Sequence, residues 1–562
     1  MSATSPPTSP SLQKSHGTPV HTLSTTTSRF YRFETKSQTY SHLADEIAPF
    51  VVGPIPADIF LSSFLPSSFA LPPFSNGMFD PFIQMHSQHE TRWYDAFVSS
   101  DPFLLGCYCT NLPFQSKVMS PHIPNFDIHN TSRTSNDNFH FSLEPDCTVY
   151  KKGKGKNIKE KKKDKAKRKF VISRADFLIE FKASLGDDPF VDKPSAGSGK
   201  PSVSSRISSS RSSSRSSKLP VGGGNSSSSR LYVGGGGGGG SSSSNSHLRR
   251  SSRLETPVST PPLETPVSST PPRETPVSST PPRETPAGAP PLREPNPFLS
   301  STHSALLVLG QLTAYATAVM GAQYRTHVFM VLIVKDYARL IRWDRSGVVV
   351  TESIKFNEQR HLYDFFIRYN TAGPDVRGHD PTVDVPTDAE VKRAKAVVPE
   401  LIEEKSFVAI TISDRRFITH SPNSQLHVPV GRWTRVSFAF DINEECRVLL
   451  KDSWRVLLTD VLPEGDIYSR LHQHGVPNIP HCLLYGDVGP DDYHRSRTDV
   501  IKEQYFSKQS YWRLTPHRHY RMVLGTIGRQ LKNFRSTKEM VKAISAALKG
   551  KVTISQQSVC LT

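Results

Sequence analysis

The sequence predicts a multidomain protein of mixed α+β and α/β character. An N-terminal α/β region in two parts is separated by a long disordered linker, and a small lobe of strands with one helix follows. Three observations carry this prediction. Apolar residues make up only 36% of the 562 residues and there are 45 prolines, so a good part of the chain cannot pack. Residues 193–295 offer almost no apolar surface with which to offset the entropy of ordering. On either side of that stretch, apolar runs alternate between strand-like and helix-like periods.

Residues 1–28 are rich in Ser, Thr and Pro and are expected to form a disordered tail. The first part of the α/β region spans 29–192. Its segment YSHLADEIAPF reads as a helix, and VVGPIPADIFLSSFLP reads as a proline-broken loop entering a short helix. PDCTVY and RADFLIEFKA read as strands, the second dense enough in apolar residues to be buried. Between them the run KKGKGKNIKEKKKDKAKRK, the basic insert 151–169, is too charged to pack and is placed in a protruding or disordered loop. The linker 193–295 passes from Ser/Arg repeats through seven consecutive glycines ending at Gly240 to near-repeats of ETPVSSTPPR between Glu255 and Arg283. This composition predicts a flexible spacer with local polyproline II. Its Thr-Pro sites suit a proline-directed kinase, and an unmodified spacer is the alternative.

Order returns in the second part of the region, 296–404. SALLVLGQLTAYATAVMGAQY has a helix pattern, HVFMVLIVKDYARLIRWD and GVVVTESIKF read as a strand pair turning at Arg345 to Gly347, and HLYDFFIRYN as a helix. Asp388 to Glu404 is charged and reads as helical. The small lobe spans 405–549, and 550–562 is read as a tail. In RLIRWDRSG, Arg339, Arg342, Trp343 and Arg345 would suit a nucleic-acid platform, or a Trp packed behind a twisted hairpin.

The formal net charge is +18, and much of the excess lies in 151–169 and in the Arg/Ser tract after Ser204. The basic run would attract nucleic acid or act as a nuclear-import signal, or it is a plain solvated run. Six cysteines, at 107, 109, 147, 446, 482 and 560, show neither CxxC pairs nor metal spacing with histidine. Reduced thiols of an intracellular protein, cytoplasmic or nuclear, are the expectation. The N-terminus MSATSPPTSPSLQKSHGTP lacks the apolar core of a signal peptide. The run Ala305 to Gly321 contains Gln311, Thr313, Tyr315, Thr317 and two glycines and reads as a buried helix, so no membrane association is expected. Cys560 stands third from the last residue, which does not fit a four-residue prenylation box.

Two constellations carry chemistry. In the first, Pro145-Asp146 closes one short strand and Glu180-Phe181-Lys182 sits on the next. Residues two apart on a strand share a face, so Glu180 and Lys182 point the same way. With Asp146 on the neighbouring strand, two carboxylates and a lysine converge. Carboxylate oxygens suit Mg²⁺, which activates water and stabilises phosphoryl-transfer transition states, while the lysine orients the nucleophile. The pattern resembles that of PD-(D/E)xK nucleases, and the helix carrying Gln311 and Tyr315 resembles an accessory motif of part of that superfamily. A chance match on ordinary strands is the alternative.

In the second, the apolar run VPVGRWTRVSFAFD is followed by the strand CRVLLKDSW with Lys451, and by the helix-like EGDIYSRLHQHG headed by Glu464. In kinases such a lysine grips nucleotide phosphates and is held by a glutamate on the following helix, beneath a Gly-containing turn. Together with VGPIPADIFLSSFLP, DFLIEFKASLGDDPF, YARLIRWDRSG, RGHDPTV, VGRWTR, LLKDSWR and HYRMVLGTIGRQL, these segments resemble the fungal-type protein kinase domain family over Ser41 to Asp192 and Asn296 to Lys549. The resemblance implies a partial protein-kinase-like small lobe, ATP and Mg²⁺ as ligands, and Ser/Thr phosphoryl transfer to a protein substrate. It assigns Lys451 and Glu464 to the phosphate grip and Gly431, Arg432, Thr434 and Arg435 to the nucleotide-covering turn. Trp433 stands where a small residue is expected. No HRD-type base or DFG-type metal loop follows, and His517-Arg518-His519 and Gly486-Asp487-Val488 come too early to replace them. The expectation is a truncated or catalytically incomplete kinase. A metal-dependent nuclease and a noncatalytic interaction protein are the alternatives.

Overall fold

The computed structural model describes residues 35–98, 123–132, 143–152, 171–192 and 296–556, apart from 404, 423–427, 491, 510, 511 and 513. The tail 1–28, the linker 193–295 and nearly all of the basic insert lie outside the described residues.

Strands buried on both faces read as continuous apolar runs. β5 (Val328–Val334) is VFMVLIV and is buried at every position. It pairs parallel with β4 (Ala175–Lys182) and antiparallel with β6 (Tyr337–Trp343). The sheet continues through β3 (Cys147–Lys151) to β2 (Phe126–Asn130) on one side, and through β7 (Val348–Thr351) to β1 (Val51–Ile55) on the other. A short β8 (Ile354–Lys355) also pairs with β6. The expected strand pair is therefore four strands, β5 to β8. Lys335, at φ 51°, helps close β5 onto β6, and the turn Asp344 to Gly347 closes β6 onto β7. The stretch expected as a proline-broken loop is the parallel strand β1. It lies at the sheet edge, where a proline lacking N–H is tolerated, and its apolar side chains are buried.

Helices cover both faces. On one, α4 (His303–Ala322), capped by Thr302, packs against α1 (Lys36–Ile47), whose capping box joins Thr35 and Gln38. The two backbones nearly touch, since a Cβ on Gly310 would stand 1.8 Å from Tyr40 O. Among the described residues α4 is the one helix long and apolar enough to cross a membrane, and 78% of that apolar window is buried within the protein. On the other face, α2 (Ala57–Phe64), α3 (Thr91–Val98) and α5 (His361–Thr371) enclose an aromatic core including Phe60, Phe97, Phe177, Phe181, Phe365 and Phe366. Phe177, Ile179 and Phe181 of β4 face that core, while Leu178 belongs to the core on the α4 side. Alternation along β4 thus turns Glu180 and Lys182 toward α4.

The second sheet is antiparallel, in the order β14 (Cys482–Asp487), β15 (His517–Leu524), β13 (Cys446–Val456), β12 (Arg435–Asp441), β11 (Arg415–His420), β10 (Phe407–Ile412) and β9 (Val383–Asp384). Because β9 precedes it, this sheet reaches back across residue 405. The helix expected over 388–404 is α6 (Asp388–Val397), opened by a Thr387–Glu390 capping box and stopped before Pro399. Its Ala394 packs with Ile418 and Phe440. Between β13 and β14 runs α7 (Glu464–Gln473), and α8 (Thr498–Phe506) precedes β15. The last helix, α9 (Thr537–Gln556), runs past Leu548 into residues read from the sequence as tail.

Candidate functional site

In the run β11, β12, β13, the third strand carries Lys451, paired across the ladder with Val436 and Met522. The next helix begins with Glu464. Pro463 precedes the helix, and Glu464 and Asp466 occupy its first turn, where carboxylates favour the helix dipole. Gly465 lets this end dock closely: a Cβ there would lie 2.0 Å from the Tyr485 ring, and Gly465 N donates to Tyr520 Oη at 2.8 Å. Docking on β14 and β15 brings Glu464 to Lys451. Lys451 Nζ donates to Glu464 Oε1 at 2.5 Å and Oε2 at 2.6 Å, with the two side chains 22% and 26% exposed. Arg432 Nη2 lies 3.9 Å from Glu464 Oε2. Lysine, glutamate and a second cation thus meet at a partly open surface.

In protein kinases the lysine that meets nucleotide phosphates is held by a glutamate on the following helix. A family model described as fungal protein kinase matches residues 300–561. Over these residues the chain is similar to the fungal protein kinase family. The match begins just before α4, so it takes in α4 and β5 to β8 of the first sheet as well as the second sheet. No curated protein and no solved structure matches the chain.

Within the matched segment, the other residues expected at the nucleotide are divided. Thr434 is exposed, and Arg432 faces Glu464. Gly431, at φ 94°, gives its N–H to Arg345 O at 2.8 Å. Arg435 donates to the carbonyls of Met320 and Gln323 at the end of α4. Trp433 is buried, its indole N–H bonded to Val428 O at 2.6 Å. In place of the expected small residue, this side chain plugs the space between the two sheets.

The first-sheet constellation also assembles. Asp146 immediately precedes β3, so it opens that strand rather than closing one, and its Oδ2 accepts Phe181 N–H at 2.9 Å. The ladder begins at Cys147, paired with Ile179, and Asp146 O already takes Thr131 N–H. Lys182 Nζ and Gln311 Nε2 donate to Glu180 Oε1 at 2.5 and 2.6 Å. Tyr315 Oη lies 2.8 Å from Gln311 Nε2 and donates to Glu144 O at 2.9 Å. Glu180 is 1% exposed, and its Oε2 is buried without a hydrogen-bond partner among the described residues. Burial, reinforced by the Glu180 charge, pushes the Asp146 carboxyl well above the usual range. Burial works against charge on Lys182, but Glu180 and Asp146 outweigh it and raise its pKa.

Two members of this site escaped sequence reasoning. Glu90 accepts from Tyr94 Oη at 2.7 Å and from Ala183 N at 2.8 Å, and Tyr94 also bonds Asp146. Their place beside Asp146 follows from the packing of α3, which no spacing near 146 or 180 signals.

A further cluster of ligand-type residues is structural. Asp380, His494 and His519 bring ligand atoms within 4.8 Å of one another. However, Arg521 Nη2 lies 2.6 Å from Asp380 Oδ2 and its Nε 2.8 Å from Asp452 Oδ2, so a guanidinium already supplies the positive charge. His519 Nε2 reaches the same Asp452 oxygen at 2.9 Å. Of the His-Arg-His run, His519 is thus part of a buried network joining β13, β15 and Asp380.

Proposed function

We propose that the Lys451–Glu464 pair grips the phosphates of ATP, delivered with Mg²⁺, in a kinase-type small lobe. The two-pronged contact of Lys451 with Glu464 carries this reading. Phosphate oxygens need a fixed positive charge. A flexible lysine supplies it only when a carboxylate holds the ammonium in place, and Glu464 does so on a docked helix. Arg432 offers a second cation beside the same carboxylate. The 562 residues contain neither a His-Arg-Asp nor an Asp-Phe-Gly sequence, so no base or metal loop is assigned here, and the proposal for these residues is a nucleotide grip. The test is thermal unfolding of the full chain with millimolar Mg·ATP. A rise in the unfolding temperature is expected, and none in a well-folded sample would overturn the reading.

A second reading rests on Glu180 Oε2, a buried carboxylate oxygen without a hydrogen-bond partner among the described residues, beside the raised carboxyl of Asp146. The donor set, two carboxylates with a lysine, fits a hard divalent cation such as Mg²⁺. Asp146 and Glu180 would hold it, and it would supply a water of lowered pKa for phosphodiester hydrolysis. Lys182 would orient the attacked phosphate. Nucleic acid is the substrate class that the basic run following β3 would attract. DNA cleavage with Mg²⁺ or Mn²⁺ that is no faster than that of Glu180→Ala would remove this reading.

A further inference from the structure

The turn Asp344 to Gly347 belongs to the first sheet, but its side chains reach the start of α8 and the loop before β12. Asp344 holds it from behind. Its Oδ2 accepts from Arg342 Nη1 at 2.6 Å, Arg497 N at 2.7 Å and Thr498 N at 3.0 Å, and its Oδ1 from Thr498 Oγ1 at 3.0 Å. Ser346 Oγ donates to Asp499 Oδ1 at 3.0 Å. The turn is therefore locked to the start of α8.

From this anchored turn Arg345 points into the space between the sheets, 2% exposed. Its guanidinium lies 3.6 Å from the Trp433 ring centroid and 5.4 Å from that of Trp454. Nη1 donates to Pro429 O at 3.1 Å and Nη2 to Arg325 O at 3.3 Å. Among the described residues no carboxylate forms an ion pair with it. A buried cation without a counter-ion is costly, so what it holds must be ring faces and carbonyls. Arg345 O also accepts Gly431 N–H, and on the far side of the loop Arg432 O accepts Trp454 N–H at 2.6 Å. The loop between β11 and β12 is thus fastened from both sides, three residues from Lys451 in β13.

We infer that Arg345 is a positioning residue for nucleotide binding: the first sheet, through this arginine, holds residues 428–433 and so sets Arg432 against the Lys451–Glu464 grip. The inference rests on the nucleotide reading above. In a free-standing lobe this loop would close over the phosphates as a mobile cover. Here its position is dictated by a turn of another sheet, so phosphate affinity depends on a residue that does not touch phosphate.

The test uses the full chain with Arg345→Gln, which removes the charge and the fork, and Arg345→Lys, which keeps the charge against Trp433. Amide hydrogen exchange reads the loop directly. Gly431 and Trp454 amides should exchange at least about tenfold faster in Arg345→Gln, while Ala409 and Leu450 amides stay protected. Unchanged exchange, or acceleration spread evenly over the lobe, would overturn the inference. Calorimetry with Mg·ATP and with adenosine reads the consequence. ATP affinity should fall about tenfold with adenosine affinity unchanged, and Arg345→Lys should recover part of the loss. Equal losses for both ligands would mean a merely structural role and would overturn it. If wild-type protein binds neither ligand, the nucleotide reading and the positioning role fall together, and exchange still decides whether Arg345 holds the loop. Where Arg345→Gln gives no cooperative unfolding transition, Arg345→Lys is judged alone by the same exchange criterion.

Discussion

Replacing Lys451 by methionine separates a binding role from a folding role. The Lys451–Glu464 pair is 22% and 26% exposed, so solvent screens it and its contribution to stability is about 1 kcal/mol or less. A charge-assisted hydrogen bond from the ammonium to phosphate is worth more, about 1.5–3 kcal/mol, because it is made against a full charge. Losing it should raise the Kd for Mg·ATP about 10- to 100-fold. At ATP concentrations about 100 times the wild-type Kd, the ligand stabilises the protein by about 2.7 kcal/mol, and a 30-fold weaker variant retains only about 1 kcal/mol of this. The assay is calorimetric titration beside urea unfolding with and without nucleotide. Methionine matches the length of the lysine stem, so packing against β12 and β15 is kept. An unchanged Kd in a cooperatively folding variant would refute the reasoning. So would a stability loss above about 3 kcal/mol without ligand, since it would mean that the pair is a structural anchor.

Three further outcomes follow from buried groups. Burial holds His494 and His517 neutral and lowers each pKa to about 4, with Asp380 opposing the shift for His494. The unfolded chain takes up these protons below about pH 6.5, so these two histidines, with His379 lowered likewise to about 4, should make stability fall as pH drops from 6.5 to 4; urea titrations at several pH values check this. Arg521→Met leaves Asp380 and Asp452 buried without their cation and should cost about 3–5 kcal/mol at pH 7, less at low pH where the carboxyls protonate, as read by denaturant midpoints. Gly310→Ala drives a methyl group into Tyr40 O and should cost at least about 2 kcal/mol by separating α1 from α4, with circular dichroism melting as the measure.

Local residue order was enough for the parts that depend on short periods. Period-two alternation put Glu180 and Lys182 on one face, one helix pattern carried both Gln311 and Tyr315 on α4, and Glu464 headed the segment that became α7. These faces do not change with the rest of the fold, because strand and helix geometry alone sets them. Residues far apart in sequence meet for another reason. β1 pairs with β7 from Val51 to Val348, and Glu90 reaches the amide of Ala183. Arg345, which from its motif alone would suit nucleic acid or a packed hairpin, serves the loop at Trp433. No local preference encodes such partners, since they arise when two sheets close on shared cores and each buried polar group must find whatever donor or ring the closure brings within reach.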